Sequence, residues 1–143
     1  MKKSKFILLF FVVTFFMNYC SKKADVVSMD EFQNKILDQK TVILDVRTEE
    51  EWKTVGKPDT KDLGIKSFFI TISQDSSFLD NVKQNINKDN QVLVMCAAGG
   101  RSIIAANLLA NEGYKTLNVS DGFSGNGQDP GWKKSGLPSI INN

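Results

Sequence analysis

Val92-Leu93-Val94-Met95-Cys96-Ala97-Ala98-Gly99-Gly100-Arg101-Ser102 is the stretch from which this chain is read. Val92 to Met95 is an apolar run carrying β-branched residues, the pattern of a buried strand. A cysteine, two alanines, two glycines and Arg-Ser follow, and Ile103 to Glu112 has helical period. A strand that runs into a glycine-rich turn opening a helix makes a cradle of backbone N–H groups. The helix N-terminus adds about half a positive charge to it. A thiol at the mouth of such a cradle loses its proton more easily than a free one. Arg101 adds a permanent charge and a planar fork suited to an anion. The stretch reads as a nucleophilic Cys96 facing an anion pocket.

A strand-terminal cysteine alone is more often a small buried hydrophobe. The residues after Cys96 weigh against that reading here. Buried filler has no need of paired glycines, which cost chain entropy and permit close backbone approach, or of an arginine closing the loop.

The chain has 143 residues, room for one domain. Its first nineteen are set apart: Lys2, Lys3 and Lys5 precede an apolar run from Phe6 to Met17 broken only by Thr14. That run is shorter than the roughly 20 residues that span a bilayer and has the form of a secretory signal peptide. Cys20, followed by Ser-Lys-Lys, resembles the lipidated cysteine of a bacterial lipoprotein signal, although Tyr19 stands where a small residue is usual. Lipidation at Cys20 is the favoured expectation and a cleaved secretory protein the alternative. Both predict export, to the periplasmic side or the cell surface, and lipidation would also hold the protein at a membrane.

Residues 1–19 contain three lysines and no acid, so the 18 basic and 16 acidic residues of the chain become 15 and 16 without them. The slight basicity belongs to the leader and gives no support for nucleic-acid binding. The chain has two cysteines and no histidine. With Cys20 lipidated, no intramolecular disulfide and no cysteine zinc site can form. Cys-His and Ser-His-Asp catalysis are excluded outright. No metal and no organic cofactor is expected, and activation of Cys96 falls to backbone dipoles and cationic side chains.

Residues 20–27 are expected as a membrane-proximal tether. Ser28 and Glu31 form a capping box, opening a helix that turns Phe32, Ile36 and Leu37 inward. Thr41 to Val46 reads as a buried strand, and Thr48 to Glu51 as a second capping box on a short helix bearing Trp52. Residues 54–66 read as loop and Ser67 to Ile72 as a strand. Asp75-Ser76-Ser77 caps a helix to Ile86, with Phe78, Leu79, Val82 and Ile86 on its apolar face. Gly113 stops the helix after Arg101-Ser102, and Thr116 to Val119 is a short strand. Residues 120–131 form a loop, and Trp132 begins a closing segment to Pro138. Helices alternating with strands predict an α/β domain with a mainly parallel central sheet flanked by helices. Asp45, Cys96 and Ser120 fall at strand ends and should share one rim, where such sheets bind ligands.

Three motifs, Asp45-Val46-Arg47-Thr48-Glu49-Glu50-Glu51-Trp52, Cys96 to Ser102, and Gly131-Trp132-Lys133-Lys134-Ser135-Gly136-Leu137-Pro138, resemble those of a single-domain rhodanese in order and spacing. The resemblance covers residues 28–139, leaving 140–143 as a tail. It departs from many members at Gly56-Lys57-Pro58-Asp59, where a longer loop resembles a subgroup with a Val-Gly-x-Pro-Asp turn.

The resemblance implies transfer of sulfane sulfur from a donor such as thiosulfate to cyanide or a thiol through a Cys96 persulfide. A sulfur-accepting protein is a further partner it allows. Backbone N–H groups of Ala97, Ala98, Gly99, Gly100, Arg101 and Ser102 would hold the anionic persulfide, with Arg101 fixing the loop and attracting the anion. Asp45 and Arg47 would brace the site from the neighbouring strand, in a protein expected to act as a monomer. Two alternatives stand beside this: a sulfur-relay or binding module with little turnover, and a cysteine-dependent phosphatase or arsenate reductase. Related phosphatases place five residues between cysteine and arginine, whereas four intervene here.

Overall fold

The structure is a computed structural model and describes residues 21–35 and 40–141. The apolar leader, Cys20, Ile36 and Leu37 lie outside the described residues, so the expectations attached to them are not addressed by it.

In chain order the elements are β1 (Asp25–Val27), α1 (Met29–Lys35), β2 (Thr41–Asp45), α2 (Glu49–Thr54), β3 (Lys57–Pro58) and β4 (Lys66–Phe69). They continue with α3 (Ser77–Asn85), β5 (Gln91–Met95), α4 (Gly100–Asn111), β6 (Lys115–Val119), α5 (Gly131–Lys134) and β7 (Ser139–Ile140). Five strands form one sheet in the order β1-β6-β5-β2-β4, every pairing parallel. The architecture is the α/β domain with a parallel central sheet that the alternation of elements predicts.

Strand periodicity divides the core. Val42, Leu44, Val92, Val94 and Cys96 point to one face, where they pack with Phe78 and Val82 of α3 and Ala105, Ala106 and Leu109 of α4. Ile43, Leu93, Met95, Leu117 and Val119 point to the other, against Met29 and Phe32 of α1, Phe123 and Trp132. Both central strands are buried on both faces, which is why they read as continuous apolar runs and not as alternating ones. Trp132, fully buried, meets Phe32 edge to face at 5.4 Å and donates its indole N–H to the Pro138 carbonyl at 2.8 Å.

The structure differs from the sequence expectations in several places, and the strand expected over Ser67 to Ile72 runs from Lys66 to Phe69. Residues 25–27, expected within a tether, form β1 on the sheet edge in register with Leu117 to Val119. Their pattern leaves only Val27 buried, so a three-residue edge strand has no periodicity to display. Lys57–Pro58, expected as loop, pairs antiparallel with Ser139–Ile140, which was assigned to the closing segment and tail. Both pieces are two residues long and 81 residues apart, beyond what local pattern reports. Finally, α4 begins at Gly100 and not near Ile103.

Candidate active site

The last difference shapes the site. Gly99 is the N-cap of α4 with φ +88°, a left-handed conformation suited to glycine, and its carbonyl accepts the Ile103 N–H at 3.1 Å. Arg101 and Ser102 therefore lie in the first helical turn, where backbone N–H groups have no helical partner. Those groups turn back on Cys96. Its side chain continues the Val92 and Val94 face beneath the helix N-terminus.

Cys96 is 2% exposed. Burial pushes its thiol up, but the Ser102 hydroxyl and the backbone N–H groups of Ser102, Ala98 and Arg101 hydrogen-bond the sulfur and bring the net shift below its ordinary value. The Ser102 hydroxyl lies 3.4 Å from Sγ and 3.1 Å from the Gly99 carbonyl. Sequence spacing places the loop backbone here. It does not point to the hydroxyl, since a serine in a first helical turn is most simply a solvated one.

Only one of the two adjacent glycines is required sterically. A Cβ on Gly99 would collide with the Ser120 carbonyl, whereas one on Gly100 would meet nothing within 4 Å. Ala98 and Gly100 are exposed and Ala97 is half-buried, so the rim of the cradle is small and uncharged.

Arg101 is arranged differently from the expectation of a free fork for an anion. Its Nη1 donates to Glu51 Oε2 at 2.8 Å and its Nη2 to Glu51 Oε1 at 2.7 Å. Glu51 keeps its place in the capping box of α2, accepting the Thr48 N–H at 3.0 Å. The Arg101 bonds lead the effects that hold its carboxyl down at about 2, against the opposing pull of burial. Glu51 is the site residue that sequence reasoning missed. Its capping role explains it locally, and its partner is 50 residues away.

Asp45 and Arg47 are both fully buried. Arg47 Nε lies 3.0 Å from Asp45 Oδ1, and its Nη2 is 2.6 Å from Asp45 Oδ2 and 2.9 Å from the Gly56 carbonyl. The guanidinium stacks on the Phe123 ring at 4.0 Å. Phe123 donates its backbone N–H to the Cys96 carbonyl at 2.7 Å, and Ser124 does the same to Ala97 at 2.9 Å. Gly122 lets the two loops approach, because a Cβ there would strike the Cys96 and Ala97 carbonyls. The pair thus reaches the cysteine loop through the 120–125 turn. Ser120 sits on the same rim, its hydroxyl donating to Asp121 at 2.7 Å.

Comparison with known proteins adds to this geometry. The family model described as STR4 middle domain matches residues 24–143. An uncharacterized protein of Rickettsia prowazekii is 44% identical over 126 residues, spanning 85% of this chain and 94% of its own. Thiosulfate sulfurtransferase 18 of Arabidopsis thaliana is 33% identical over 108 residues, 72% of this chain and 79% of that protein. Among solved structures, a rhodanese-like domain protein from Staphylococcus aureus superposes with a TM-score of 0.61 at 28% identity, covering 83% of this chain and 99% of that one.

Proposed function

Since this chain belongs to the STR4 middle-domain family and has the rhodanese-like fold, we propose that it is a sulfurtransferase carrying sulfane sulfur on Cys96. The observation that carries the proposal is the set of donors converging on Cys96 Sγ: three backbone N–H groups and the Ser102 hydroxyl. They lower the cost of a thiolate in the resting protein, and the same cradle suits a persulfide anion.

In the first half-reaction the Cys96 thiolate attacks the outer sulfur of a donor such as thiosulfate. The S–S bond of the donor breaks, and sulfite leaves with the bonding electrons. In the second, a thiolate or cyanide attacks the outer sulfur of the persulfide, and the Cys96 thiolate departs with its electron pair. One covalent intermediate links the halves, so ping-pong kinetics are expected. A phosphate monoester is a poorer fit, because only four residues separate Cys96 from Arg101 and the shorter loop suits a sulfur atom better than a tetrahedral phosphate.

The basic, apolar leader of residues 1–19, followed by Cys20, supports an exported protein held at a membrane by lipid on that cysteine. Among the described residues no helix is long and apolar enough to cross a membrane.

Intact-mass spectrometry tests the chemistry. Incubation with thiosulfate should add one sulfur atom, cyanide should remove it, and Cys96→Ser should never acquire it. A sulfur adduct of equal yield in Cys96→Ser would overturn the assignment of the nucleophile.

A further inference from the structure

A cleft of about 580 Å³ opens between α3 and α4 on the sheet face that carries Cys96. Ile72, Phe78, Leu79, Ile104 and Leu108 supply most of its lining, with the polar run 73–76 on one side, and Arg101 lines it too. Arg101 is thus shared between the cleft and the cradle, since it lines the one and lies in the first turn of α4 beside the other. The volume falls within the range of pockets that take small organic ligands. Ile104 is 58% exposed and Leu108 39%, one helical turn apart, an apolar pair left open to solvent on the helix that begins at the active site.

The cationic charge of Arg101 at this mouth is already balanced. Both outer nitrogens of the Arg101 guanidinium are engaged by Glu51, which neutralises it at 2.7 and 2.8 Å. The lip of the cleft adds the exposed carboxylate of Asp75. From the shared Arg101 wall, the apolar lining and the neutralised charge, we infer that the cleft seats the carbon body of an apolar low-molecular-weight thiol, the acceptor in the second half-reaction. The inference rests on the sulfur-transfer reading above and specifies its substrate class. The acceptor lies with its carbon body along Phe78, Leu79 and Leu108 and its sulfur toward Cys96. Its thiolate attacks the outer sulfur of the persulfide and a new S–S bond forms to the acceptor. The bond to Sγ breaks, and Cys96 recovers the electron pair as thiolate. Sulfane sulfur changes carrier without any external oxidant or reductant.

The test loads the whole protein with sodium polysulfide, confirms one added sulfur by mass, and follows its loss to two alkyl thiols. Benzyl mercaptan is the apolar probe and 2-mercaptoethanesulfonate the anionic one. Benzyl mercaptan should discharge the persulfide about tenfold faster, as expected for an aryl group entering an apolar pocket. Ile104→Gln with Leu108→Gln, both at exposed positions, should pull the ratio of the two rates toward one. Glu51→Gln, which keeps the helix cap while releasing Arg101, should shift the ratio toward the sulfonate. Equal rates in the unaltered protein, or a ratio indifferent to the cleft substitutions, would overturn the inference while leaving the sulfurtransferase reading intact. A persulfide that forms but yields to neither thiol would also overturn it, in favour of a protein acceptor. Failure to load at all would remove the reading on which it rests.

Discussion

Glu51 and Arg101, 50 residues apart, meet in a two-pronged ion pair at the mouth of the cysteine cradle while Glu51 caps its own helix. One carboxylate thereby couples the position of α2 to the first turn of α4. Depressing the folded-state carboxyl to about 2 from its ordinary 4.5 means that the folded protein holds the ionised form more tightly than the unfolded chain does. The stability it contributes is fully present above pH 4.5 and is lost as pH falls toward 2. Glu51→Gln should therefore lower the melting temperature at pH 7 and leave it nearly unchanged near pH 2. Melting curves across that window check this, and equal losses at both ends would show that the pair contributes nothing beyond packing.

The Ser102 hydroxyl is the side-chain donor to Cys96 Sγ, at 3.4 Å. Removing it in Ser102→Ala takes away one of the groups that draw the thiol pKa down, while the burial that pushes it up remains. The pH profile of alkylation by iodoacetamide should move to higher pH, and sulfur loading at neutral pH should slow. Ser102→Thr restores the hydroxyl and should recover most of the shift. An unmoved profile in Ser102→Ala would assign the lowered pKa to the backbone donors alone.

Arg47 and Asp45 form a fully buried pair under the site. Removing one member leaves an uncompensated charge in the interior, which costs about 3–5 kcal/mol. Arg47→Met should lose stability on that scale in urea titration. Because Arg47 stacks on Phe123, whose N–H holds the Cys96 carbonyl, sulfur loading should also slow in the fraction that remains folded. A loss below about 1 kcal/mol would mean that water replaces the guanidinium as the donor to Asp45.

Cys20 precedes every described residue and follows the apolar leader directly. If it carries lipid, Cys20→Ala should move the protein from the membrane fraction to the soluble exported fraction without altering persulfide formation at Cys96. Unchanged membrane association would refute lipidation at that position.

The legible parts of this chain were those with strong local period. Val92 to Met95 and Val42 to Leu44 are buried on both faces, and they announce themselves as apolar strands. The capping boxes at Ser28 and Thr48 were equally plain, and both close as expected. What escaped was set by distance along the chain. The β3–β7 pair spans two residues on each side, β1 buries a single side chain, and the grip of Glu51 on Arg101 joins two helices that sequence order keeps apart. At the site the strand, the turn and the helix start were readable, whereas the neutralisation of Arg101 and the role of the Ser102 hydroxyl needed three-dimensional neighbours.

The adjacent glycines give the most discriminating prediction, because they look alike in sequence and differ in space. Gly99 has φ +88° and faces the Ser120 carbonyl, so Gly99→Ala combines a left-handed conformation that alanine resists with a backbone collision. Strain of the first kind alone costs about 1–3 kcal/mol. The variant should lose at least that much stability, and sulfur loading should fall with it, because the N–H groups of Ala98 and Arg101 flank the displaced residue. Gly100 lies in the first turn of α4 with open space where a Cβ would go. Gly100→Ala restricts the unfolded chain without a clash and should gain about 0.4–1 kcal/mol. Urea titration of the two variants should therefore give opposite signs at neighbouring positions. Equal destabilisation would show that the loop needs two flexible residues and that its observed backbone is not the one that holds Cys96.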